Sequence, residues 1–226
     1  MLDYSLTRSQ RKTASITVRD GHVQVRAPLK MPLVNIEEFI TSKEGWIREK
    51  LVLLREKALH KEAFSLDYGH LIPYRGERYP IVAAEVRCPC FRDGAFCIPP
   101  DLPPDKIKSA CIQIYRKLAK QDMIPRIHDY AKTMGVQPAQ IKITNARTRW
   151  GSCTGKGNIN LSWRLIKTED AIIDYIIVHE LAHLTLMNHS PQFWALVESF
   201  MPDYRERRVR LHKFQKQLAF ENWNDG

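Results

Sequence analysis

Residues 179–183 read His-Glu-Leu-Ala-His. Two histidines four positions apart lie on one face of a helix, one turn above the other. Their imidazoles can therefore converge on one cation about 2.0–2.1 Å from each nitrogen. Glu180 stands beside His179, about 100° further round the helix. That sets its carboxylate next to a metal's water rather than on the metal. This is the H-E-x-x-H arrangement, with the Glu as general base. With 8 His and 13 Glu in 226 residues, the pattern arises by chance about 0.016 times per chain, so we read it as a site. A buried helix also has little other use for a charged glutamate.

His189 follows His183 by six positions. A straight helix would carry it away from the first two histidines, so the chain must turn first. Asn188 can make that turn, because asparagine tolerates the left-handed conformation after a helix. His179, His183 and His189 then give three neutral nitrogen ligands and an open fourth position, the coordination of a catalytic zinc. Glu198, 15 residues after His183, is the alternative third ligand. Tyr175 shares the face of His179 and reads as a core tyrosine or a group touching the site. Cys153 reads as a buried thiol rather than a nucleophile, since no separate Cys–His–acid set accompanies it.

The elements that must hold these groups follow from the pattern. The helix after Thr168 is apolar on most sides, with Ile172, Ile173, Ile176, Ile177, Leu181 and Leu184, as a helix in the core is. Thr168 is its expected N-cap. Ser190-Pro191 opens the next helix as cap and first-turn proline, Met201-Pro202 ends it, and Asp203 with Glu206 starts a last one to about Phe220. Upstream, Ile141–Asn145 and Asn158–Leu165 read as strands joined by a loop carrying Arg149-Trp150-Gly151-Ser152-Cys153. A long helix spans about Asp105 to Thr133, kinked or split at Pro125. Asp20-Gly21 predicts a tight hairpin, and Asp93-Gly94 predicts another turn. Short strands flank Gly76. Helix is expected from about 36 to 60, capped by Asn35 and Glu38, with a break at Gly45.

Composition is that of a globular chain: 44% hydrophobic, 27% charged. No apolar run reaches the roughly 18 residues of a membrane span, and the polar start carries no export signal. A cytoplasmic protein with reduced thiols is expected. Cys88, Cys90 and Cys97 lack a fourth partner and read as thiols rather than a structural zinc site. The net charge is +10. It is spread along the chain, and the last 48 residues balance, with 6 basic against 6 acidic side chains. A diffuse excess is poor evidence for a nucleic-acid stripe, so any such binding should be weak and non-specific.

Several segments together resemble the YgjP-like metallopeptidase family, related to the SprT and WLM zinc peptidases. They are Arg149-Trp150-Gly151-Ser152-Cys153, Asn160–Leu165, Asp174-Tyr175 with the His-Glu-Leu-Ala-His-Leu run, and Asn188-His189-Ser190 with Phe193-Trp194. The N-terminal hairpin, the Trp46-Ile47 helix and the Tyr79 strand extend the likeness over most of the chain. The resemblance implies an α+β, zincin-like catalytic core around the buried helix, preceded by an N-terminal β-hairpin and helix region. We divide the chain into residues 1–102 and 103–226, or one continuous domain. His179, His183 and His189 would be ligands of one Zn2+ per chain and Glu180 the catalytic base. Leu186 stands where metzincins have their turn glycine, which again places the turn at Asn188.

The expected activity is hydrolysis of a peptide or protein substrate. Glu180 would take a proton from water and pass it to the leaving amine, with zinc as Lewis acid. The Asn158–Leu165 strand would offer an edge to an extended peptide. Two rivals stand beside this reading: a nucleic-acid-associated zinc protein acting on DNA-linked proteins, and a non-catalytic metal or protein-interaction module. Arg149 and Tyr204 are the candidates to stabilise an oxyanion.

Overall fold

The computed structural model describes residues 2–224, and the chain forms two compact units. The first holds residues up to Phe64 together with Ala219–Asn222. Its sheet has the order β1-β3-β2, with β1 (Ser5–Ser9) parallel and β2 (Ser15–Arg19) antiparallel to β3 (His22–Pro28). The β2–β3 turn is the expected one: Asp20 and Gly21 take φ of 50° and 78°, the two positive values of a type I′ turn. Helices α1 (Leu33–Ser42) and α2 (Glu44–Ala63) follow. The break falls at Lys43 and not at Gly45, and α1 begins straight after Pro32, without a cap from Asn35. Val18, Val23, Val25, Ala27, Ile36, Ile40 and Ile47 form this unit's core.

The second unit holds Ser65–Leu218 and the chain from Trp223. It opens with four strands in the order β4-β5-β7-β6: β4 (Leu71–Tyr74), β5 (Glu77–Ala83), β6 (Cys90–Arg92) and β7 (Ala95–Ile98). Arg75-Gly76 and Asp93-Gly94 turn its two hairpins, again with positive φ at both positions. Helix α3 (Pro104–Met134) continues through Pro125 without splitting and stops at Gly135, φ 66°. A left-handed residue that only glycine adopts easily is a usual helix terminator.

A second sheet positions the site. β8 (Gln140–Thr144) lies parallel to β10 (Asn158–Ser162), and β9 (Gly151–Cys153) lies antiparallel to it on the other side. Two expectations change here. The Arg149–Cys153 segment is not all loop, because Gly151–Cys153 pairs as a strand. The strand expected to reach Leu165 ends at Ser162 and gives way to a 3-10 helix, Trp163–Lys167. Thr168 closes that short helix, its hydroxyl donating to Leu165 O at 2.8 Å, and does not cap α4 (Asp170–Ala182). Ile172, Ile173, Ile177, Val178, Leu181 and Ala182 are buried at 2% exposure or less. Burial of the five larger of these side chains, each contributing about 1.5–3 kcal/mol, fixes α4 against α3, α5 (Pro191–Phe200), α6 (Tyr204–Leu218) and β9. No helix among the described residues is long and apolar enough to cross a membrane.

Candidate metal centre

His179 and Glu180 lie in the last turn of α4, and His183 is the residue just past its end. The turn back toward His189 starts at once. The amides of Leu184, Thr185 and Leu186 donate to the carbonyls of Leu181 and Ala182 at 3.0–3.1 Å. Asn188 does not provide it: among the described residues, positive φ outside glycine falls at Asp20, Arg75, Asp93 and Asp101. Tight turns directly after the helix do what a left-handed asparagine was expected to do. Ser190 then accepts from the Phe193 amide at 3.3 Å, and Pro191 starts α5, as the sequence indicates.

This path brings the three imidazoles together. One coordinating atom from each of His179, His183 and His189 lies within 4.8 Å of the others. Nε2 of His189 is 3.1 Å from Nε2 of His179. Two ligands of a tetrahedral zinc stand about 3.3 Å apart when each bond is about 2.05 Å, so the pair is already near ligand spacing. Nδ1 of His183 faces the Leu186 carbonyl at 3.0 Å. A carbonyl only accepts, so the proton sits on Nδ1 and the lone pair on Nε2 is left for a cation, the usual outer support of a histidine ligand. Phe193 stacks on His183 at 4.5 Å and Trp194 on His189 at 5.5 Å. The first turn of α5 thus clamps the rings that precede it.

The electrostatics also fit a cation. Burial, then the neighbouring His183 and His189, push His179 down to about 3. Burial pushes His183 down as well. Metal binding requires neutral imidazoles, and these two are held neutral. Nδ1 of His179 is buried with no hydrogen-bond partner among the described residues.

Glu180 belongs to the same place but not to the cluster. It is 6% exposed, and burial pushes its carboxyl up to about 7 against the pull of the Cys153 amide and Arg149. Gly151 makes this position possible. A Cβ there would stand 2.6 Å from Glu180 Cγ and Oε1. The hydrogen bonds Ser162 N to Trp150 O and Thr154 N to Asn158 O mark the side of β9 that faces β10. Antiparallel pairs alternate, so Gly151 and Cys153 turn their backbone groups to the opposite edge, where the Cys153 amide meets Glu180. The sheet's edges are β8 and β9, and it is the β9 edge that faces Glu180. β10, the expected edge, is the middle strand.

Of the other sequence candidates, Glu198 is held by Arg205 at 2.5 Å and lies outside the histidine cluster. Tyr175 is a core residue, 3% exposed, whose ring is 5.9 Å from that of His179. Cys153 is half-buried, and its thiol is pushed up by burial and by Glu180. The sequence reading missed Gly151 and the Leu186 carbonyl. The Trp-Gly pair before a cysteine was visible, but nothing in its spacing says which helix presses on the glycine. A cleft of about 1000 Å³ opens beside His179 and Glu180, bordered by Arg149, Trp150, Tyr175, Trp194 and one face of α6.

A family model described as YgjP-like, metallopeptidase domain, matches residues 12–214. No curated protein matches the chain. Two solved structures show similarity, both metallopeptidase zymogens. Abylysin of Pyrococcus abyssi is 26% identical with a TM-score of 0.38, over 40% of this chain and 92% of its own. Jannalysin of Methanocaldococcus jannaschii is 17% identical with a TM-score of 0.36, over 41% of this chain and 95% of its own.

Proposed function

This chain belongs to the YgjP-like metallopeptidase family, and from that premise we propose that it is a zinc-dependent peptidase with a zincin-type core. His179, His183 and His189 hold one zinc ion per chain, and Glu180 is the general base. The observation that carries this reading is the placement of Glu180, a buried carboxylate beside three clustered imidazoles but outside their ligand set. A purely structural metal site has no use for such a group.

Zinc supplies Lewis acidity and a readily deprotonated water. Glu180 accepts the water's proton on its carboxylate and delivers it to the leaving nitrogen. Burial raises its affinity for that proton. The Cys153 amide, aimed at the carboxylate from the β9 edge, limits how it can rotate. An extended peptide added to the outer edge of β9, beside the Cys153 amide that Glu180 takes, would run past the same carboxylate, so backbone pairing would set the position of the scissile bond.

Glu180→Gln tests the assignment. The variant should keep its zinc, since residue 180 is not a ligand, and lose turnover by about 10²–10⁴-fold. Parental kcat on a substrate protected by chelators would remove Glu180 from the mechanism.

A further inference from the structure

Helix α6 carries six basic side chains, and the structure sorts them into two groups. Arg205 is held by Glu198, Arg207 by Asp203 and the Ala171 carbonyl, and Arg210 by Glu169. Arg208, Lys213 and Lys216 meet no carboxylate among the described residues, and all three border the cleft beside Glu180. Arg149 joins them from the segment before β9, also without a carboxylate in contact. Positions 205, 208, 212 and 216 recur every three or four residues, so they share one face of the helix, and that face is turned to the cleft. Glu180 is the only acidic residue in the lining.

The charge is held at the site. The Arg208 guanidinium lies over the Trp194 ring, 5.3 Å from its centre, and Trp194 in turn stacks on His189. Unpaired cations that line a concavity focus its field and concentrate anions there.

We propose that this cleft is a subsite for the acidic side chains of the substrate, so that peptides with Asp or Glu flanking the scissile bond are preferred. The inference rests on the peptidase reading and adds the substrate class. A peptide fits the observations better than a nucleic acid does. On α6 the cations that meet no carboxylate all border the cleft, and Arg207 and Arg210 on the rest of the helix are neutralised. A nucleic-acid backbone requires a basic stripe that continues along the surface.

The test uses the full zinc-loaded chain. Fluorescent peptides of one sequence, with Asp and Glu or with Asn and Gln around the scissile bond, are compared for binding by anisotropy and for cleavage. The acidic peptide should bind and be cleaved about tenfold better at low ionic strength, with the advantage shrinking as salt rises. In the triple variant Arg208→Gln, Lys213→Gln, Lys216→Gln the acidic-to-neutral ratio should fall toward one. Equal binding of both peptides to the parent protein would overturn the subsite, and that comparison does not depend on the variant folding. Selective binding without cleavage of either peptide would leave the subsite standing and reject the peptidase reading. A single-stranded oligonucleotide that binds more tightly than the acidic peptide and displaces it would overturn the proposal in favour of a nucleic-acid ligand.

Discussion

The two ends of helix α4 hold ionisable groups in opposite ways. At its N-terminal end Asp170 accepts from Arg75 at 2.6 and 2.8 Å and from Arg126 at 2.8 Å, and Arg126 also reaches Asp122 and Asp174 at 3.0 and 3.1 Å. Burial would raise the Asp170 carboxyl, but the two guanidiniums outweigh it and hold the group below the usual aspartate range. The hydrogen bond it donates to Asp170 raises Arg75 in return. At the other end burial outweighs its opponents, the Cys153 amide and Arg149 at Glu180 included. Glu180 rises to about 7 and His179 falls to about 3. One end favours charged forms and the other neutral ones, on a single helix with about three turns between them. Desolvation acts at both, and the difference is whether an opposite charge is supplied. Paired charges at the first end fix α4 to α3 and to the β4–β5 turn. Unpaired groups at the second are left ready to take a cation and a proton, as expected where chemistry is done.

The strongest way to break this contrast is to remove a group from the unpaired end and find nothing lost. His189→Ala should weaken zinc binding by more than about 100-fold, a larger effect than loss of an outer-sphere partner. Glu198→Ala should leave zinc content near that of the parent, because Glu198 is occupied by Arg205. Zinc content after dialysis of the two purified variants decides it. Full metal in the first with loss in the second would move the site to a glutamate-liganded type.

Gly151→Ala sharpens the same point without touching a titratable group. The added methyl would sit 2.6 Å from the Glu180 carboxylate, and β9 cannot yield easily because it is paired to β10. Glu180 must therefore move. A displacement of about 1 Å in a reacting group costs on the order of 10²-fold in rate, and overpacking costs about 1–3 kcal/mol in stability. Zinc content should be unchanged. Retention of both kcat and thermal stability would show that the position of Glu180 is not set by β9.

Much of this site was legible because local rules decide it. The spacing of His179, Glu180 and His183 is a property of any helix, and the Ser190-Pro191 start of α5 is local capping chemistry. The Asp20-Gly21 and Asp93-Gly94 turns use residues that tolerate positive φ at both central positions. The errors fall where distant chain decides. The Gly151–Cys153 segment became a strand because β10 lies alongside it, which no short window reveals. Asn188 has the right chemistry for a left-handed turn, but the amides of Leu184–Leu186 close the helix end before the chain reaches it. Helix α2 breaks from α1 at Lys43 although Gly45 is the weaker helix former. The balanced charge of the last 48 residues concealed a helix that neutralises three arginines and leaves three cations on one face, a partition set entirely by folded partners.

The smallest effect belongs to the paired end. Asp170→Asn keeps the size of the side chain and removes the charge that Arg75 and Arg126 address. Asp170 is 47% exposed, so solvent screens the pair and the loss at pH 7 should be about 1 kcal/mol or less. That corresponds to a fall in Tm of about 2–4 °C for a unit of this size. The pH dependence has a definite sign. A carboxyl whose folded-state value is lowered contributes stability above its unfolded value, about 3.9, and loses it as pH falls through the lowered folded value. The gap between parent and variant should therefore be constant from pH 7 to about 5 and close below about 4, as followed by thermal unfolding at each pH. Turnover per folded molecule at pH 7 should match the parent, because Asp170 acts on the attachment of α4 and not on the residues at its far end. A stable variant with lost turnover and full zinc would mean that the two ends are coupled through the helix and that the charge lattice helps to position Glu180.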